Sequence, residues 1–133
     1  MAKKLEKYRE RQEKLSFFGK ELVRRSKSAC ELCSASGVPL NIYEVPPAGE
    51  EPEMESLLFI CGECMAQLEN PKRLVPDHWR CLNNAVWSEI EAVQVTACRV
   101  LIRLAETEDW AAELLEQAYF DDEVMEKVRL VKL

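Results

Sequence analysis

The sequence predicts an α+β, helix-rich fold. A small four-cysteine zinc module of treble-clef or zinc-ribbon-like kind, a β-hairpin plus a short helix, is flanked by an N-terminal basic helix and a C-terminal bundle of about three helices. Three observations predict it. Two C-x-x-C pairs, Cys30-Glu31-Leu32-Cys33 and Cys61-Gly62-Glu63-Cys64, are separated by residues 34–60. Only 4 of the 133 residues are glycine, too few for the tight turns of an all-β chain. Beyond Pro76 neither glycine nor proline interrupts a run of helical periodicity.

In chain order, residues 3–27 read as a helix, continuous or broken at Gly19, with Leu5, Tyr8, Leu15, Phe18 and Leu22 at three-to-four spacing among charged residues. After the first cysteine pair, Val38–Val45 carries an alternation centred on Leu40 and Ile42 that predicts a short strand, ended by Pro46-Pro47. Ala48–Glu55 is a polar, acidic loop, and Ser56–Ile60 is a buried strand leading into Cys61. Gly62–Asn70 then reads as a short helix stopped by Pro71, with Cys61 and Cys64 at its positive end. Three helices follow, from Ser88 to about Ala105, from Asp109 to Tyr119 and from Asp121 to about Lys132, with Ser88 and Asp121 as N-caps.

The first of these three is apolar on two sides, Ile90, Val93, Ala97, Leu101 and Leu104 on one and Val95, Cys98 and Ile102 on another. Such a helix is either central or at an interface. Trp79, Trp87 and Trp110 are expected to anchor the helical part on the zinc part, ahead of an aromatic ligand cage. The chain length predicts one folding unit, organised as a basic arm (1–27), a four-cysteine module (28–75) and a helical region packed on it (76–133).

Charge divides the same way. The net charge is −6, but residues 1–29 carry ten Lys/Arg against four Glu, while residues 30–133 carry eight against twenty acids. Lys3, Lys4, Lys7, Arg11, Lys14, Arg24 and Arg25 are therefore the candidate contacts for nucleic acid or for a partner. The plainer reading of this arm is a solvated helix with charge pairs such as Glu10 with Lys14. The sequence contains no run of about 18 apolar residues, and the start alternates charges where a secretory signal would be apolar, so a cytoplasmic protein without a membrane partner is expected.

In a reducing compartment the cysteine spacing points to metal rather than to disulfides. Each C-x-x-C pair can turn two thiolates onto one ion, and two pairs complete a tetrahedral shell of Cys30, Cys33, Cys61 and Cys64. Soft thiolates select Zn2+ ahead of a rubredoxin-like iron, one ion per chain. A closed shell leaves no position for water or substrate, which makes the metal structural. Lys27, Arg25 and Arg24 could offset the negative charge of the site. Cys98 reads as a small buried hydrophobe, and His78 with Cys81 forms an H-x-x-C whose service as a second ligand pair is the weaker reading.

These motifs, together with Tyr43-Glu44-Val45-Pro46-Pro47, His78-Trp79-Arg80-Cys81-Leu82-Asn83, Trp87 and Ala92-Val93-Gln94-Val95, resemble the PhnA family. That family is also called YjdM-like, or alkylphosphonate-utilisation operon protein A. The resemblance runs from about Glu21 to Asp122. It implies an N-terminal zinc module with four cysteine ligands. Members typically continue into a small β-rich domain, whereas this sequence stops at Val131-Lys132-Leu133 and adds the basic arm of residues 1–20.

The expected function is non-enzymatic: a zinc-binding module for self-association or another protein partner, or for nucleic acid, with no small-molecule substrate inferred. The body's apolar helix and the final helix, with Val124, Met125, Val128 and Val131, offer the surface for a homodimer. Phosphonate hydrolysis is not expected, because metal-catalysed hydrolysis needs open coordination positions. An HNH-like nuclease needs a histidine base at the end of the first strand, where Tyr43-Glu44-Val45 stands, and His78 is the single histidine. A thiol redox protein using its C-x-x-C pairs is the remaining alternative.

Overall fold

The computed structural model describes residues 2–133. The chain forms α1 (Ala2–Ser16), α2 (Gly19–Ser26), β1 (Leu40–Glu44), β2 (Leu57–Cys61), α3 (Gly62–Glu69), α4 (Leu82–Ala85), α5 (Glu91–Leu104), α6 (Asp109–Gln117) and α7 (Asp122–Val128). Short 3-10 turns occupy Met54–Ser56, Pro71–Arg73 and Pro76–Cys81.

The first helix breaks at Phe17 and Phe18, just ahead of Gly19, where Phe17 N–H and Phe18 N–H bond back to Lys14 and Leu15 carbonyls at 3.3 and 3.0 Å. The glycine only opens α2. At the far end of α2, Lys27 (φ 56°) and Ser28 (φ 60°) both take the left-handed conformation, and their N–H groups return to the Arg24 and Val23 carbonyls. That is a Schellman-type stop made without glycine.

β1 and β2 pair antiparallel, Leu40 opposite Cys61 and Glu44 opposite Leu57. Because strand side chains alternate, β2 is buried on both faces. Leu57, with Phe59 and Ile42, faces Leu15, Phe18 and Leu22 in a small core. Leu58 and Ile60, with Tyr43 and Val45, face the large core of the helical region. The arm expected over residues 1–27 is thus free only in its first part. From Leu15 onward it is a layer of the fold, because α2 covers one side of the hairpin.

α5 is the centre of the second half. It touches α4, α6, α7 and β2, and ten of its residues, including Val93, Ala97, Val100 and Leu101, are buried. Its two apolar sides are consumed inside the chain. Val124 and Val128 of α7 are buried against the same core within the chain, while Met125 and Val131 are half-buried.

Several boundaries differ from expectation for local reasons. Ser88 does not cap α5: it lies outside the helix, its Oγ accepting from Ile90 N–H at 3.1 Å while its carbonyl accepts from Gln94 Nε2 at 2.6 Å. Asp121 does cap α7, its Oδ1 accepting from Val124 N–H at 2.9 Å. α7 stops at Val128, short of Lys132, because buried Arg99 donates to the Lys127 and Val128 carbonyls at 2.6 and 3.4 Å, taking helix-end acceptors that a further turn would use. Residues 76–85, unassigned in the sequence reading, form a 3-10 turn running into α4.

Of the three tryptophans only Trp79 is a full anchor. Its ring is buried, and its Nε1–H donates to Gln67 Oε1 of α3 at 2.7 Å. Trp110 is half-buried under the Arg80 guanidinium, 4.5 Å from the ring centre. Trp87 is 61% exposed and anchors nothing. Among the described residues no helix is long and apolar enough to cross a membrane.

Two kinds of ion pair tie α1 and α2 to the rest. Arg25 grips Glu31 with Nε at 2.7 Å and Nη2 at 2.8 Å, and Nη2 also donates to the Leu57 carbonyl at 2.6 Å. The Glu31 side chain, 2% exposed, accepts from Phe59 N–H as well, at 2.7 Å. Lys14 and Glu51, by contrast, meet in solvent at 2.8 Å. Removing one member of a buried, hydrogen-bonded pair strands the other, whereas an exposed pair contributes little. Glu31→Gln is therefore expected to lower the unfolding free energy by about 3 kcal/mol, and Lys14→Met by less than ~1 kcal/mol, both read from urea denaturation curves.

Candidate metal centre

The first cysteine pair sits at the tip of a tight reversal. Ala29 bridges Ser36 antiparallel, Cys30 N–H donates to the Ala35 carbonyl at 2.8 Å, and Ser34 N–H returns to the Cys30 carbonyl at 2.9 Å. Ser34 takes φ 66° to complete the turn. Cys33 N–H then points at Cys30 Sγ, 3.5 Å away. The second pair repeats this contact in another setting. Cys61 is both the last residue of β2 and the N-cap of α3, and its Sγ accepts from Cys64 N–H at 3.5 Å. Amide donors favour negative sulfur in both places, and the N-terminus of α3 adds to this at the second.

The hairpin brings the two pairs together. The Glu31 N–H donates to the Phe59 carbonyl at 3.0 Å, which docks the first turn beside β2, and Cys61 follows two residues later. The four sulfurs of Cys30, Cys33, Cys61 and Cys64 lie within 4.8 Å of one another. Cys30 and Cys64 are 3.8 Å apart and Cys33 and Cys61 3.6 Å apart. A tetrahedral ion with metal–sulfur bonds of about 2.3 Å needs sulfur–sulfur edges of about 3.8 Å. The four cysteines are free thiols, three of them buried and Cys33 half-buried. Geometry and donor chemistry therefore fit a metal ion held by four protein ligands.

Electrostatics shows what the ion would supply. A hydrogen bond from Cys64 pulls the Cys30 thiol down to about 4, while burial pushes Cys33 up to about 11. Cys64 is driven far above the ordinary thiol range by its bond to Cys30, by burial and by neighbouring sulfur charge. Four such groups cannot all carry charge unaided. A bound cation would add an attraction at each sulfur that outweighs their mutual repulsion and favours the thiolate.

His78 and Cys81 do not make a second ligand pair. His78 Nε2 lies 3.2 Å from Cys64 Sγ, outside the four-sulfur group, with its ring edge-on to Trp79 at 5.2 Å between centres. Cys81 is half-buried and pushed up to about 12, by burial first and then by charge on Cys33 and Cys30. Cys98 is buried in the large core, as read from sequence, and burial pushes it up to about 11. His78 as a neighbour of the cluster was missed by spacing: it reaches Cys64 only through the 3-10 turn of Pro76–Cys81.

The basic candidates are scattered in their roles. Lys3, Lys4, Lys7 and Arg24 are exposed. Arg11 is turned onto Glu44 in an ion pair and onto the Glu50 carbonyl at 2.7 Å. Lys14 meets Glu51, and Arg25 meets Glu31. Arg25 thus faces a carboxylate within the first cysteine turn and does not offset the sulfurs directly.

Comparison of the chain with models of protein families, with curated proteins and with solved structures finds no match.

A four-thiolate site in a small domain contributes on the order of 10 kcal/mol of apparent folding free energy at neutral pH. Elemental analysis of protein purified without chelator is expected to give one ion per chain. Serine at any of Cys30, Cys33, Cys61 or Cys64 should reduce that to a small fraction, and serine at Cys81 should leave it intact. Chelation should cost the circular dichroism signal of at least residues 28–75; an unchanged spectrum after full metal removal overturns the structural role.

Proposed function

We propose that the chain is a non-enzymatic zinc protein of PhnA-like kind, with a treble-clef four-cysteine module whose metal is structural, acting in the reducing cytoplasm by association with protein, first with a second copy of itself. The observation that carries this reading is the closed donor set. Four protein sulfurs approach one another at tetrahedral spacing, which leaves an ion no open position for substrate. The order of elements supports it: cysteine turn, antiparallel hairpin, then a second cysteine pair opening a helix.

The association surface differs from the one read from sequence. Of the exposed large apolar side chains, Leu5 and Tyr8 lie on α1, Phe17 at the break and Val23 on α2, while Val38, Val75, Trp87, Tyr119 and Leu130 are spread over the rest of the chain. Lys3, Lys4 and Lys7 share the free end of α1, and this favours the second reading, a phosphate backbone held by the same helix. Against it, Arg11, Lys14 and Arg25 already serve acids of the chain.

Light scattering on the metal-loaded full chain is expected to show a dimer that Leu5→Glu with Tyr8→Glu converts to monomer, with the secondary structure unchanged. A monomer that binds an oligonucleotide, with affinity falling steeply as salt rises, overturns this in favour of the nucleic-acid reading. Thiol counting separates the redox alternative. In the metal-loaded chain the four ligand sulfurs should alkylate slowly until chelator is added; rapid alkylation of metal-free, folded protein would instead identify a dithiol redox protein.

A further inference from the structure

Three of the four clustered sulfurs are shut away and one is not. Cys30, Cys61 and Cys64 are 2%, 6% and 0% exposed, whereas Cys33 is half-buried. The opening is a groove of about 350 Å³ lined by Cys33 and Cys61 and by neither of the other two ligands. Val38 and Pro39, from the segment leading into β1, give it an apolar wall, His78 also lines it, and Glu63 is its one carboxylate. The two sulfurs on the groove are 3.6 Å apart, closer than Cys30 and Cys64 at 3.8 Å, and they belong to different C-x-x-C pairs.

A cysteine that ligates a metal does so as the thiolate, which is also the form that attacks electrophiles. Susceptibility to oxidation follows thiolate character and exposure, and it rises where a second sulfur stands ready to resolve the first product. Within the cluster Cys33 has the exposure and Cys61 is the second sulfur. An apolar wall with a single carboxylate disfavours anionic reagents and leaves a small neutral oxidant as the reactant that fits. Cys81 is the rival for the second sulfur, half-buried and outside the four-sulfur group, but it does not line the groove.

We propose that Cys33 is an oxidation site for hydrogen peroxide, resolved by Cys61 as a disulfide that opens the cluster. Cys33 Sγ attacks one peroxide oxygen: an S–O bond forms, the O–O bond breaks, and the departing hydroxide takes a solvent proton to become water. Cys61 Sγ then attacks the Cys33 sulfur: an S–S bond forms, the S–O bond breaks, and the second oxygen leaves in the same way. Two sulfurs have lost one electron each and peroxide has become two waters. Only Cys30 and Cys64 remain as thiolates, and two ligands do not make a tetrahedral shell. The new bond closes the chain between residues 33 and 61 covalently where the cluster had closed it through the ion. Thiol reductants of a reducing compartment reverse the step by exchange. All of this rests on the four-thiolate metal reading, so metal content is measured first and the two can fail separately.

The test uses the full chain, shown by elemental analysis to hold one zinc, and treats it with one equivalent of hydrogen peroxide. Released zinc is read with a chromophoric chelator and disulfides are mapped by peptide mass spectrometry. One Cys33–Cys61 bond is expected for each zinc released, with thiol reductant and added zinc restoring the loaded chain. Cys33→His keeps a fourth ligand but no thiol and is expected to slow release about tenfold. Val38→Trp narrows the groove at a 43% exposed position without touching a ligand, and is expected to slow release about fivefold at unchanged zinc content. A chain that never held zinc fails the metal reading before peroxide is added, and this proposal with it. Zinc retained under peroxide, a bond mapped within one C-x-x-C pair or to Cys81, or a release rate unaltered in either zinc-loaded variant overturns this proposal alone.

Discussion

Four sulfurs brought within 4.8 Å of one another are the constraint on which the rest of the fold depends. They join the first cysteine turn, the end of β2 and the start of α3 at one point, beside the Glu31–Phe59 hydrogen bonds that dock the turn on β2. Without a cation that point is a cluster of mutually repelling thiols, held partly protonated by burial. With one, it closes a loop of about thirty residues, and the closure entropy of such a loop is a free-energy term a small hydrophobic core struggles to supply. The hairpin register, Leu40 opposite Cys61, places the end of β2 where the two pairs meet.

Two buried guanidiniums extend the constraint outward in different ways. Arg25 reaches from α2 to a full carboxylate, Glu31, inside the first cysteine turn, and so ties the N-terminal layer to the metal module with a charge pair. Arg99 reaches from α5 to three backbone carbonyls and fixes where α7 ends and where the Pro46 loop lies. The first is neutral as a unit and the second is not.

The sequence was most legible where chemistry is discrete. C-x-x-C spacing marks four candidate ligands without knowledge of the fold, because two thiols three residues apart can turn onto one ion. Asp121 as an N-cap and the apolar periodicity of α5 were legible for a similar reason, since each depends on neighbours within one helical turn. What failed depended on distant contacts. Whether α5 is central or interfacial turns on α6 and α7 covering it, and Trp87 looks like an anchor until the chain turns it outward. Arg11, Lys14 and Arg25 read as a basic surface because their acids, Glu44, Glu51 and Glu31, lie on other elements.

The metal module and the helical region share a polar relay that neither half's periodicity reveals. Gln67 of α3, three residues past Cys64, accepts from both Val75 N–H at 2.8 Å and Trp79 Nε1–H at 2.7 Å, and its own amide donates to Glu63. The 3-10 turn it holds carries His78 to within 3.2 Å of Cys64 and buries Trp79 in the large core. Gln67 and Trp79 are both buried, so displacing α3 would leave the Trp79 Nε1–H without its acceptor. α3 starts at Cys61 and contains Cys64, so an ion held by the four sulfurs would fix its position. A displacement at the cysteines would therefore reach the helical core through Gln67 and Trp79, which join the two parts despite their separate hydrophobic patterns.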